Sequence, residues 1–211
     1  MTSISINSIE LLIEVLGTLA FALSGLIAGL RKRFDLVGIC MVSGVTAFGG
    51  GTLRDVILDR RPFFWVENSY WLWGLIALCL IGSAFLKSKH IDFTEKAIQI
   101  PDALGLGLFA PLGTQIALIQ HLDPIVAVLM GVFTAVFGGI LRDIFCNEVP
   151  KAFSDHQPYA IIAFIGGWVY VILIHLGVTE LLSSLTSFLS ITIFRLVAIN
   201  RNWQLPKWNA N

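Results

Sequence analysis

Seven long apolar stretches, separated by short polar breaks, fix what this chain can become. They run roughly over 8–30, 36–58, 69–86, 97–120, 124–146, 158–176 and 179–199. Each is near the length of about 20 residues that a helix needs to cross about 30 Å of hydrocarbon. In lipid every backbone N–H and C=O must be bonded internally, so such stretches span as helices. Charge content agrees with this. Only 13% of the 211 residues are charged, against about 25% in an average soluble domain. Too few charges remain to cover a water-facing surface, which argues against a soluble enzyme. The 14 Lys and Arg are balanced by 14 Asp and Glu, without the basic block a nucleic-acid binder uses. The expectation is one all-α integral membrane domain over 1–211.

The polar start MTSISINS carries no basic residue, and the stretch after it shows no small-residue cleavage site. It is therefore read as a retained span. Basic residues set the orientation. With the N-terminus outside, the inner loops and tail carry Arg31, Lys32, Arg33, Lys87, Lys89, Lys96, Lys151, Arg195, Arg201 and Lys207. Only Arg60 and Arg61 then fall outside, so an N-outside, C-cytoplasmic, multi-pass inner-membrane protein is expected. Trp65, Trp71 and Trp73 at one end of the third span, and Trp203 and Trp208 after the seventh, suit interfacial belts. Cys40, Cys79 and Cys146 have no ligand spacing and read as small apolar residues, neither disulfide nor zinc site.

Displaced by 88 residues, the chain matches itself without a gap. Residues 14–62 lie over 102–150 with 15 identities in 49 positions. Among them are Gly17/Gly105, Phe21/Phe109, Gly25/Gly113, Asp35/Asp123, Thr46/Thr134, Gly50/Gly138, Gly51/Gly139, Arg54/Arg142 and Asp55/Asp143. Apolar composition matches Leu and Ala by chance, but not Gly-Gly-x-Leu-Arg-Asp twice at one offset. Each copy holds three spans, an odd number, so successive copies are expected upside down relative to each other. Repeat one covers about 8–87 and repeat two about 96–176, with an extra helix at about 179–199. Inverted repeats of this kind place functional sites at the repeat interface, where helices are interrupted.

The duplicated motif carries the candidate site. Gly49, Gly50 and Gly51 stand together in span 2, and Gly138 and Gly139 in span 5. A glycine in a helix costs about 1 kcal/mol relative to alanine. Such a run permits a kink or break, whose freed backbone groups need a water-filled cavity. The competing reading is that small residues only let helices pack closely. Thr46, Gly50 and Arg54 are four apart and share a helix face; Ala47, Gly51 and Asp55 form the stripe beside it. Thr134, Gly138 and Arg142, with Ala135, Gly139 and Asp143, repeat both. Arg54–Asp55 and Arg142–Asp143 are therefore expected as charged constrictions towards opposite ends of a pathway, or else as interfacial charge pairs with a structural role.

Other polar residues read as capping or interfacial. Asp35 and Asp123 precede spans 2 and 5 as N-caps, the latter followed by Pro124. Asp102 follows Pro101 near a span start and reads as a cap; its counterpart Glu14 lies a little inside span 1, where a solvated cavity mouth is conceivable. His90, His121, His156 and His175 have no paired spacing. No nucleophile–base pair, phosphate loop or metal motif is present, so no enzyme activity, metal or cofactor is expected.

Three motifs together carry a family resemblance: Gly-Gly-Gly-Thr-Leu-Arg-Asp at 49–55, Gly-Gly-Ile-Leu-Arg-Asp at 138–143, and Asp-Ala-Leu-Gly-Leu-Gly-Leu-Phe-Ala at 102–110. They resemble the bacterial membrane family related to trimeric intracellular cation (TRIC) channels, some members of which are described as glycine transporters. The resemblance covers about 8–199. It implies seven transmembrane helices, in two inverted three-helix repeats plus a seventh, and a homotrimer in lipid with a pore in each subunit. That pore is lined by spans 1, 2, 4 and 5, kinked at Gly49–Gly51 and Gly138–Gly139, and passes potassium-type monovalent cations. Phe137 stands where a third glycine would complete the second motif. Inverted repeats suit a passive cation channel and a carrier of a small zwitterion such as glycine alike, and the residues leave both open. A structural or lipid-organising protein is a third class, which charges inside the spans disfavour.

Overall fold

The computed structural model describes residues 8–67, 69–86, 95–154 and 157–206. Lys87, Lys89, Lys207, His90, His156 and Trp208, given topological or interfacial roles above, lie outside these residues. Every regular element among the described residues is a helix. In chain order they are α1 (Ser8–Arg31), α2 (Leu36–Ile57), α3 (Phe64–Glu67), α4 (Tyr70–Leu86), α5 (Glu95–Ile119), α6 (Pro124–Phe145), α7 (Lys151–Ser154), α8 (Ala160–His175) and α9 (Glu180–Arg201). Five of them, α1, α2, α5, α6 and α9, are long and apolar enough to cross a membrane. The apolar helices α4 and α8 have 17 and 16 residues, about 24–26 Å at 1.5 Å per residue.

Helix ends follow local chemistry. Asp35 caps α2, its carboxylate accepting from the Gly38 N–H at 2.7 Å. Asp123 makes no such bond; α6 instead begins on Pro124, whose fixed φ suits a first helical turn. Asp102 is no cap. It lies inside α5, which starts at Glu95 and continues through Pro101 and Pro111. The turns after α1 and α5 place Arg33 and His121 at φ 57° and 60°, and those after α2 and α6 place Asp59 and Asn147 at 49° and 53°. Both pairs are 88 apart, so the duplication extends to the backbone of the turns.

Four helices, α1, α2, α5 and α6, form the centre, and α5 is the most enclosed, with 78% of its apolar window buried against 44% for α2. Their contacts are reciprocal. A Cβ on Gly17 would lie 2.9 Å from the Phe109 ring, and one on Gly105 would lie 2.8 Å from the Phe21 ring. A Cβ on Gly25 would meet Thr46 Oγ1 at 2.8 Å, and one on Gly113 would meet Thr134 Oγ1 at 2.5 Å. Gly50 abuts the Thr134 carbonyl oxygen, and Gly138 abuts that of Thr46. Each contact maps onto its partner under the 88-residue shift, which is an approximate two-fold relation between the copies. Pairing 50 with 134 and 46 with 138 also makes α2 and α6 cross antiparallel.

The glycine motifs do not interrupt their helices. Backbone helix runs unbroken through Gly49–Gly51 in α2 and through Gly138–Gly139 in α6. The reason is visible at the crossing. Two helix backbones touch there, so Gly50 and Gly138 are needed for the absence of a side chain. In the second motif Gly138 is the glycine that mates with the Thr46 carbonyl.

Candidate functional site

The stripe residues come together as their spacing requires. Thr46, Thr134, Gly50, Gly51, Gly138, Gly139, Arg54, Asp55, Arg142 and Asp143 are all buried; Gly49, half-buried, lies beside Leu141. Both threonine hydroxyls donate back into their own helices, Thr46 to the Val42 carbonyl at 2.5 Å and Thr134 to the Met130 carbonyl at 2.7 Å. Their hydroxyl oxygens lie against Gly25 of α1 and Gly113 of α5.

Arg54 and Arg142 lie on opposite sides of that crossing. Each is six residues from its midpoint, about 9 Å along its helix. Arg54 is 1% exposed. Its Nε donates to Asp55 Oδ1 at 2.8 Å and its Nη2 to Glu14 Oε1 at 3.2 Å, while Nη1 is buried without a partner among the described residues. Arg60 Nη1 stands 3.9 Å from Asp55. Arg142 is 3% exposed. Its Nε donates to Asp143 Oδ1 at 2.9 Å, and its Nη1 donates to both Asp102 Oδ1 and Ser24 Oγ. Each arginine is thus held by the adjacent aspartate on its own helix and by an acid on the preceding repeat helix, Glu14 on α1 or Asp102 on α5. Two carboxylates face each guanidinium, and at the Arg54 end Arg60 adds a second cation beside Asp55. A buried charge persists only when paired and hydrogen-bonded, and all three groups of each cluster meet that condition.

Sequence reasoning found the arginines and aspartates but set aside the second acid of each cluster. The signal was there: Glu14 and Asp102 are 88 apart and both acidic. Two further residues were not anticipated. Tyr159, at the start of α8, donates its hydroxyl to Asp102 Oδ2 at 2.8 Å. Arg195 of α9, counted above as a cytoplasmic surface charge, is 1% exposed. Its guanidinium lies 4.8 Å over the Tyr159 ring, and its Nη1 bonds Gln157 Oε1 and the Pro158 carbonyl. Tyr159 lies in repeat two beyond the gapless match, opposite Trp71, and Arg195 lies outside the repeats, so the offset gave no hint of either.

A second charged contact stands at the Arg142 end. Glu148, in the turn after α6, pairs with Arg31 at 3.2 Å and Lys32 at 2.8 Å, both at the end of α1. Burial opposes its ionisation, but the Lys32 hydrogen bond and the Arg31 charge outweigh that, so its carboxyl titrates below the usual glutamate range. Among the described residues, no group of His, Cys, Asp and Glu is arranged to hold a metal ion.

Apolar spanning helices around duplicated, buried arginine–carboxylate clusters define a multi-pass helical membrane protein. A family model described as a glycine transporter matches residues 11–87 and again 99–175, the same 88-residue offset. A UPF0126 membrane protein of Vibrio cholerae is 32% identical over 95% of this chain and 83% of its own length. The UPF0126 inner membrane protein YadS of Escherichia coli K12 is 31% identical over 92% and 93%. Among solved structures, a TRIC trimeric intracellular cation channel orthologue from Rhodobacter sphaeroides superposes with a TM-score of 0.86 at 30% identity, covering 93% of this chain and all of that one. A structure described as explaining conductance through TRIC cation channels gives 0.82 at 33% identity, over 95% and 97%. The chain belongs to this membrane-protein family, the one its motifs resemble, and has the TRIC-like fold.

Proposed function

We propose that the protein is a channel for monovalent cations, potassium foremost, in the inner membrane, with a pathway in each subunit of a homotrimer surrounded by lipid. The observation that carries this reading is the pair of buried clusters, Arg54 with Glu14 and Asp55, and Arg142 with Asp102 and Asp143, one on each side of the Gly50–Gly138 crossing. Each cluster sets two carboxylates beside its arginine. Carboxylates thus stand at both constrictions to attract a permeating cation, with Arg60 beside Asp55 as a further cation at one of them. The likeness to cation channels at about 30% identity supports the same reading.

In this proposal the seven apolar helices all span, repeat one inverted relative to repeat two, with the N-terminus outside and the C-terminus cytoplasmic. The crossing is packed, so conduction requires α2 and α6 to part there. Gly49–Gly51 and Gly138–Gly139 give the two helices room to slide and bend. The permeant cation is the only small species the protein needs; neither a cofactor nor a nucleic acid enters, and no covalent chemistry is performed.

The family's description as glycine transporters names the competing activity. Purified protein in planar bilayers under a potassium gradient separates the two. Unitary currents reversing near the potassium equilibrium potential are expected. Saturable glycine uptake into proteoliposomes without unitary currents would sink the channel reading.

A further inference from the structure

The two clusters are copies, yet they are not held alike. At the Arg54 end the arginine reaches one oxygen of each acid, and its Nη1 has no partner among the described residues. At the Arg142 end all four carboxylate oxygens are engaged. Arg142 takes one oxygen of each acid, the Tyr159 hydroxyl takes Asp102 Oδ2, and the Lys151 N–H takes Asp143 Oδ2 at 2.9 Å. The equivalent positions of the other copy do not carry the same polar side chains. Trp71 replaces Tyr159 and packs edge-on against Phe64 at 5.7 Å. Leu112 stands where a hydroxyl matching Ser24 would be.

Two small cavities flank the Arg142 side chain, each of about 10 Å³, room for about one water. One faces the turns, between Arg31, Lys32 and Glu148; the other reaches inwards past Ile140 and Gly139 to Tyr159 and Arg195. Arg142, Asp143 and Lys151 line both. These three side chains are therefore the wall between them.

On the footing of the cation-channel reading, we infer that Arg142 is a movable partition between these two cavities, and that Tyr159 and Arg195 are the positioning residues that hold it shut. The linkage is continuous. Arg195 lies over the Tyr159 ring, a cation–π contact that fixes the ring. The ring's hydroxyl fixes Asp102, and Asp102 with Ser24 fixes Arg142. Hydrogen bonds to a charged group are the stronger kind, so releasing the tyrosine frees one oxygen of Asp102 and lets the acid and Arg142 turn together. The closing elements are α8 and α9, which lie outside the four central helices. The Arg54 end has no such linkage, so the two ends of the pathway open by different means.

Single-channel recording of Tyr159→Phe, Arg195→Gln and Arg195→Lys tests this. Tyr159→Phe keeps the ring and loses only the hydroxyl, so folding is spared. Open probability should rise roughly tenfold in Tyr159→Phe and Arg195→Gln, a change worth about 1.4 kcal/mol. It should stay near wild type in Arg195→Lys, which keeps the cation, and in Trp71→Phe at the copied position. Unchanged gating in Tyr159→Phe would overturn the inference. Wild-type protein that passes no current would instead remove the channel reading. A second readout is independent of current: a water-soluble charged thiosulfonate should modify Ile140→Cys several-fold faster when Tyr159→Phe is added. Equal rates in both backgrounds would show that Tyr159 does not hold the partition.

Discussion

At the scale of single residues, the glycines separate into those that mate with a backbone and those that do not. A Cβ at Gly50 collides with the Thr134 carbonyl, which belongs to a helix backbone and cannot step aside, whereas one at Gly74 meets nothing within 4 Å. Gly50→Ala should therefore destabilise the protein by about 1–3 kcal/mol, the usual cost of overpacking, and reduce flux by prising α2 from α6. Gly74→Ala should be neutral or stabilising, by up to about 1 kcal/mol of helix propensity. Thermal unfolding in detergent distinguishes them; equal midpoints for the two variants would show that the crossing tolerates a side chain. Arg54 poses the converse case. Removing it strands Glu14 and Asp55 as buried charges, so Arg54→Ala should cost about 3–5 kcal/mol. Adding Glu14→Gln should recover part of that loss, and the surviving currents of the single variant should show altered selectivity. A double variant no more stable than Arg54→Ala would mean that Glu14 is already solvated when Arg54 is absent. The stripe of Thr46, Gly50 and Arg54 and its copy were legible in the sequence because helical periodicity alone decides which residues share a face. Glu14 and Asp102 were misjudged because their roles depend on a partner 40 residues away, which no local rule supplies.

At the scale of elements, the apolar stretches coincide with helices to within a few residues, five of them long and apolar enough to span, since burial in lipid and internal hydrogen bonding demand helix. What they could not give was continuity. Glycines in a row look like a breaker when each is weighed alone, but a helix packed on both sides tolerates their propensity cost when they admit a neighbour. Pro101 and Pro111 sit inside α5 for a related reason: enclosure by α1, α6 and α9 holds that helix together despite a missing donor at each. The α1–α6 connection makes a separate prediction. The Glu148 carboxyl has a depressed pKa, so its pairing with Arg31 and Lys32 contributes fully above the ordinary glutamate value of 4.5 and is lost as pH falls through the lower folded value. Its side chain is 26% exposed, and such a pair is worth about 1 kcal/mol at most. Lowering the pH from 7 to below 4 should cost wild type up to that much more than Glu148→Gln, measured as the shift in unfolding midpoint. Parallel pH profiles for the two proteins would assign Glu148 no stabilising role.

For the whole molecule, the decisive feature is that contacts as well as residues are duplicated. Gly50 on Thr134 and Gly138 on Thr46, or Gly17 on Phe109 and Gly105 on Phe21, are single contacts seen twice. The two copies thus share matched contacts, and Tyr159 and Arg195 add to one side only. An antiparallel crossing of α2 and α6 puts the turns that follow them at opposite ends of the pair. Placed across a membrane, those turns must face opposite sides. Arg61 and Val149 are equivalent under the 88-residue shift and both are exposed. A membrane-impermeant maleimide should therefore label Arg61→Cys in intact cells but Val149→Cys only after permeabilisation, with the unmodified chain correcting for Cys40, Cys79 and Cys146. The Lys and Arg distribution gives the expected sign of this result, with the Arg61 turn outside. Labelling of both positions from one side would refute the inverted arrangement, and with it the idea that one pathway runs from the Arg54 cluster at one face to the Arg142 cluster at the other. Labelling with the sides exchanged would keep the inversion and reverse the orientation, placing the Tyr159–Arg195 linkage on the outer face.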